Sequence, residues 1–382
     1  MLLEFIRLMT GDSQSPNTQG SNVNNLERPT RATLVSFLVA LMALLWSAYR
    51  SGIGIYPALS WQWTAIESWP QRSTEAFQGY ISDSPTGPIL AKLLGLSSQN
   101  QYVFVHLLAS LIVILLLASW AFTQFENSHE KWLAVRLSFL APISAVLFTW
   151  IGTYDVFTVL GWAIALYAYT SRKRFLILAS GIFLGFQHFE HSLFALAIFA
   201  IIILALGDRL PRTLLPKLLW WMAGGLLLGR ALLGAIFILS GQGPTARSEW
   251  VATFIKDWTV TGVNIGPQLL WSLFAGFWIL VLALFLGLRN HRPRFLLAAA
   301  FGLGLVATLL SGDRPRIFII VMFPALMLAL VAYIANSRDS PRERKLVEFS
   351  IWLAPVIFFW GNSVFNSNSL DLFIMTVNQL RG

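Results

Sequence analysis

The tetrapeptide Asp313-Arg314-Pro315-Arg316 places two guanidinium groups where an apolar run begins. A proline at the first helical position, with an acid just before it, is an ordinary helix start. Free backbone N–H groups and the positive end of the helix dipole also attract anions there. Two arginines at that spot have the chemistry to clamp a phosphate through paired N–H donors. His188, Glu190 and His191 form a second polar knot. Histidines three apart share a helix face, but a metal needs a third ligand in tight geometry. The expectation there is an interfacial pair with its polar needs met, and no metal site or cofactor is indicated. Asp155 stands at the head of a run, in Gly152-Thr-Tyr-Asp155, placed to cap a helix or to reach inward. Arg230 lies near the middle of an apolar run, where a charge faces a partner or a water-filled cavity. Glu67, Glu75 and Asp83 are the acids of the segment between the first two runs.

The elements that must hold these residues are apolar helices. Hydrophobic residues make up 56% of the 382, and charged residues only 12%, against roughly 25% charged in soluble domains. Neither a soluble globule nor a disordered chain has that composition. A membrane β-barrel is excluded because the apolar residues form unbroken runs instead of alternating. The chain reads as an all-α, polytopic transmembrane bundle. About eleven helices are expected, near 32–49, 102–122, 132–152, 154–170, 175–187, 192–206, 214–240, 267–289, 295–311, 316–335 and 347–365. The fifth and sixth runs fall short of the roughly 20 residues needed to cross a bilayer. Three regions follow: a flexible tail 1–31 with no signal-peptide pattern, a membrane domain 32–365 and a tail 366–382. The absence of cysteine removes disulfides, thiolate metal sites and a Cys nucleophile together.

Charge sets the expected orientation. With the N-terminus inside, eighteen of the 27 Lys and Arg fall on the cytoplasmic side and eight on the other. The formal charge of +9 is thus a matter of topology and not of nucleic-acid binding. This scheme makes the chain a multi-pass membrane protein with a cytoplasmic N-terminus and an extracytoplasmic C-terminus. It gathers Glu67, Glu75, Asp83, Asp155, His188, Glu190, His191, Asp313, Arg314 and Arg316 on the outer side. A face bearing acids, histidines and paired arginines is what a membrane enzyme at the outer surface needs. In the long outer segment 241–266, Trp250, Phe254 and Trp258 recur every four residues, which suits a helix lying on the bilayer surface.

The order of parts carries a resemblance. A first helix is followed by a long acid-bearing outer loop, which ends in Ser84-Pro-Thr-Gly-Pro-Ile-Leu-Ala-Lys-Leu-Leu-Gly95 before the second helix. Gly152-Thr-Tyr-Asp155 then heads a helix, and Arg172-Lys-Arg174 and Leu178-Ala-Ser-Gly-Ile-Phe-Leu-Gly-Phe186 follow. Over roughly residues 32–206 this resembles the GT-C superfamily of membrane glycosyltransferases. The resemblance implies a cell-envelope enzyme that moves a sugar, with inversion, from a polyprenyl-phosphate donor to a glycan or lipid acceptor. It implies a first-loop acid as general base, here Glu67, Glu75 or Asp83, and cations on the departing phosphate, here Arg314 and Arg316. The family usually carries its acid soon after the first helix, often paired; here Ser-Gly-Ile-Gly-Ile-Tyr-Pro follows Arg50 and Glu67 is the first acid. Two other readings stand beside it. One is a polysaccharide polymerase or ligase acting on lipid-linked glycans, relying on the outer arginines and histidines. The other is a transporter or flippase, which needs charges near the bilayer midplane.

Overall fold

The structure is a computed structural model that describes residues 31–72, 81–211, 214–243, 269–309, 314–337, 340–360 and 363–366. The described residues are largely helical, with one short hairpin among them. In order come α1 (Arg31–Ser51), α2 (Leu59–Ser68), α3 (Thr86–Leu93), α4 (Gln99–Thr123), α5 (Ser128–Leu140), α6 (Pro142–Thr149) and α7 (Asp155–Thr170). Then follow α8 (Arg174–Leu206), α9 (Leu219–Leu239), α10 (Phe277–Gly287), α11 (His291–Leu309), α12 (Arg314–Asn336) and α13 (Pro341–Leu353). Strands β1 (Phe358–Trp360) and β2 (Ser363–Asn366) pair antiparallel. Local chemistry sets the starts. Ser98 caps α4 by accepting from the Gln101 N–H, Asn127 caps α5 through His129, and Pro142 and Pro341 open α6 and α13.

Eleven crossings are not what the helices support. By length and composition alone five helices among the described residues could span a bilayer, or six if the bent pair α5–α6 counts as one; α8 is among the five although it folds back on itself and does not cross. The shortfall comes from breaks inside apolar runs. Pro142 splits the third run, and its halves meet at 43°. Ala275, at φ 48°, breaks the eighth run before α10. The last run is helical only to Leu353 and then passes into the hairpin. At 16 residues α7 extends roughly 24 Å, less than a bilayer core.

The fifth and sixth runs are joined in α8, which is broken at His188 (φ −159°, ψ 83°). The break is a reversal. Ser192 Oγ donates to the Leu184 carbonyl at 3.5 Å, although eight residues of continuous helix advance roughly 12 Å. The glycines agree. A methyl on Gly181 would meet Met222 and Gly225, and one on Gly229 would meet Ile182 and Phe186. α9 therefore runs parallel to the first half of α8. The short connector 207–218 permits that only if the second half returns. Both ends of α8 lie at one end of the bundle. Tyr169 Oη donates to the Leu215 carbonyl at 2.5 Å, and Asn336 to the Arg209 carbonyl at 3.2 Å. Because Phe186 sits opposite Gly229, α9 continues past the turn by about ten residues, roughly 15 Å. α8 is thus a hairpin that reaches about half the length of α9.

The paired glycines, Gly181 with Gly185 and Gly225 with Gly229, allow this backbone-close approach, as small residues spaced by four do between membrane helices. α12 is the central post, with every residue from Arg314 to Ile334 buried. Arg50 closes α1 as a structural staple. Its guanidinium donates to the carbonyls of Ile351, Ala354 and Leu140 at 2.5, 3.0 and 3.2 Å, at the carboxyl ends of α13 and α5. The long first loop is largely structured: α2 packs on α3 and α4 through Leu59, Ile66, Ala91 and Tyr102.

Candidate functional site

A layer of buried polar residues crosses the bundle at the level of the α8 turn. The head of α7 is its centre. After α1 the chain pairs with that head, Tyr56 N–H donating to the Ile151 carbonyl and Ile151 N–H to the Gly54 carbonyl, both at 3.0 Å. Gly152 then turns at φ 101°, a conformation that disfavours any side chain, and a methyl there would also strike Leu59. The turn delivers Tyr154 and Asp155. Asp155 does not cap α7; it reaches across to α12, its Oδ2 2.5 Å from Arg316 Nη1, with both side chains buried. The Arg316 guanidinium also lies over the Trp150 and Tyr154 rings, 5.1 and 5.7 Å from their centroids.

Arg314, two residues earlier at the first position of α12, differs from Arg316. It is 2% exposed, and its Nε and Nη2 have no hydrogen-bond acceptor among the described residues. Burial lies heavily on a guanidinium without an acceptor. Asp313 and Glu75 lie outside the described residues.

The other first-loop acids separate. Glu67 is exposed and accepts a hydrogen bond from Trp63 Nε1 at 2.6 Å, four residues back on α2. Asp83 is fully buried and paired with Arg72, at 2.6 Å from Nη2 and 2.8 Å from Nε. Arg72 is a latch that sequence reasoning missed. Its guanidinium stacks on Phe237 of α9 at 3.6 Å and donates to the Gly243 carbonyl, while its own N–H donates to Gln242 Oε1 at 2.9 Å. Gln187, also missed, ties this loop to the head of α7. Its Oε1 accepts from the Thr86 N–H at 3.1 Å, and its Nε2 donates to the Tyr154 carbonyl at 3.0 Å. Ile81 and Ala65 pack on Tyr154 itself. Asp83, between these anchors, therefore borders the same layer as Asp155 and Arg316.

Further buried polar groups line α4. The Tyr102 and His106 rings lie 4.1 Å apart, tilted by 46°, and Phe157 meets the imidazole edge to face at 5.0 Å. Gln62 and Thr153 come near Tyr102 and His106, but outside hydrogen-bond geometry. A glutamine, a tyrosine and a histidine breaking apolar stretches were the available signal for these positions.

The α8 turn supplies the last group. His188 and His191 stack with ring centroids 3.5 Å apart. His188 Nδ1 is 3.6 Å from Glu190 Oε2, and Glu190 Oε1 is 3.7 Å from Arg230 Nη2. Arg230 thus has the partner its position demanded. The His188 ring also lies 5.7 Å from that of Tyr154, which joins this group to the Asp155–Arg316 pair. Among the described residues no set of three His, Asp or Glu side chains is placed to hold a metal ion. The contacts link Asp155, Arg316, His188, His191, Glu190 and Arg230, with Tyr154 between Arg316 and His188, while Asp83 is paired with Arg72, Arg314 stands two residues before Arg316, and Glu67 is left at the surface. Set against family models, curated proteins and solved structures, the chain matches none.

Proposed function

We propose that the chain is a membrane glycosyltransferase that moves a sugar from a polyprenyl-phosphate donor to an acceptor hydroxyl at the polar layer. The observation that carries the reading is Arg314, a buried cation at a helix N-terminus whose Nε and Nη2 lack acceptors among the described residues. A phosphate oxygen is the partner that position suits. In the proposed reaction Asp83 takes the proton of the acceptor hydroxyl. The hydroxyl oxygen attacks the anomeric carbon, the bond from that carbon to the phosphate oxygen breaks, and Arg314 with Arg316 holds the departing phosphate. Asp83 is preferred to Glu67 because it is buried beside the head of α7, and Glu67 is exposed.

The test is transfer from a synthetic polyprenyl-phosphate hexose to candidate acceptors by purified protein in nanodiscs. Asp83→Asn should abolish turnover, and Arg314→Lys should raise the Michaelis constant for donor roughly tenfold or more, because Lys lacks the planar fork. Full activity in both variants would end the proposal. A second reading, a flippase for the lipid-linked sugar, is favoured by the half-depth break in α8, since transporters place such breaks and charges near the midplane. Translocation of a fluorescent lipid-linked sugar across proteoliposomes, without chemical change, would select it.

A further inference from the structure

Arg230 sits roughly 15 Å from either end of α9, at the depth where a charge is most costly in a bilayer. It is not sealed in the bundle. The Arg230 side chain is 20% exposed and that of Glu190 39%. Around them Leu193, Leu227, Leu228 and Leu232 are strongly exposed, as lipid-facing residues are. An ion pair therefore opens onto a lipid-facing wall at half depth, with its atoms 3.7 Å apart, too far for a hydrogen bond. Arg230 Nη1 has no hydrogen-bond acceptor among the described residues.

Inward from this opening the polar groups form a continuous chain. Arg230 faces Glu190, Glu190 faces His188, His191 stacks on His188, His188 lies against Tyr154, and Tyr154 lies under Arg316. The links run from α9 through the α8 turn and the head of α7 to α12. A structural ion pair would explain the first link but not the run of buried polar contacts that continues from it to Arg316.

We propose that the lipid-facing junction of the α8 turn with α9, where Arg230 and Glu190 are partly exposed, is the lateral entry site, or portal, for a lipid bearing a phosphate, with Arg230 as its outer phosphate-binding residue. The tail would stay among the exposed leucines, and the phosphate would displace Glu190 from Arg230 before it moves inward past His188 and His191 toward Arg316. The inference rests on the reading of Arg314 and Arg316 as phosphate ligands only for its destination. The outer site stands on Arg230 and its opening.

The experiment measures binding of farnesyl phosphate to the full chain in nanodiscs, with farnesol, inorganic phosphate and phosphatidic acid as comparisons. Arg230→Gln should weaken farnesyl phosphate about tenfold or more and leave farnesol unchanged. Glu190→Gln, which removes the competing carboxylate, should keep or tighten binding. A pair with only a structural role would give loss of folded protein in both variants, and that outcome overturns the portal. Equal affinity of the parent and Arg230→Gln for farnesyl phosphate also overturns it. If phosphatidic acid shows the same Arg230-dependent binding as farnesyl phosphate, the portal stands with any lipid phosphate as its ligand. If only farnesyl phosphate does, the isoprenoid is the source. Loss with Arg314→Lys but not with Arg230→Gln would sink the portal and keep the proposed inner site; the reverse would keep the portal and sink the inner site.

Discussion

Asp155→Asn isolates the central ion pair. The two charged groups meet at 2.5 Å with both side chains buried, and the pair joins α7 to α12 across 161 residues of sequence. Asparagine keeps the shape of the side chain and removes its charge. Arg316 then remains as a buried guanidinium over two aromatic rings, without its carboxylate. Removing one partner of such a pair costs about 3–5 kcal/mol, because the other charge stays desolvated. For a chain of this length about 2 °C accompanies each kcal/mol, so the midpoint should fall by roughly 6–10 °C. The contrast is the double variant Asp155→Leu with Arg316→Met, which takes both charges away. It should recover most of the loss, since apolar replacement of a whole buried pair is often neutral or stabilising. The assay is thermal unfolding in detergent followed by tryptophan fluorescence, for which the 16 tryptophans supply signal. A midpoint for Asp155→Asn within about 1 °C of the parent, or no recovery in the double variant, would refute the argument that this pair is desolvated and coupled.

The reversal of α8 predicts that Cys introduced at Lys173 and at Asp208 reacts with an impermeant maleimide from the same side, and Cys at Gln242 from the other; the chain has no cysteine of its own to confuse the result. Labelling of 173 and 208 from opposite sides would mean that α8 crosses once. Gly229→Ala should cost about 1–3 kcal/mol by forcing α9 off the Ile182 and Phe186 backbone, whereas Gly224→Ala, which meets nothing, should be neutral or slightly stabilising in the same melts. Arg50→Met should destabilise by about 3 kcal/mol, since three carbonyls lose a charged donor at once; a midpoint matching the parent's would show that α5 and α13 do not depend on the staple.

The helices were legible because an unbroken apolar run has few other uses, and α4, α9 and α12 lie close to where periodicity and length put them. Their number as crossings was not. A run of 13–15 apolar residues reads the same whether it spans, bends or turns back, and only packing decides. The polar stretch Gln187–His191 did mark the turn, since a helix continuing through lipid has little use for four polar groups in five residues. Of the site, Asp155, Arg314 and Arg316 were readable as polar residues at the ends of runs. Their pairing was not, because Asp155 and Arg316 are brought together by helix packing. The same holds for Arg230 and Glu190, forty residues apart, and for Arg72, whose partners lie on α9 and in the first loop. Composition placed acids and arginines on one side but could not separate exposed Glu67 from buried Asp83.

The half-length α8 hairpin also fixes how the polar layer sits in an electric field. The layer lies near the middle of α9, so a charge brought to it from either face passes through about half of the low-dielectric thickness. A potential of 100 mV acts on a unit charge with about 2.3 kcal/mol across the full thickness, hence about 1 kcal/mol at this depth. For a phosphate that is a factor of roughly six in occupancy per negative charge. If the layer binds a phosphate, an energised membrane would shift its occupancy by that factor, and reversing the sign of the voltage would favour or oppose arrival from a given face.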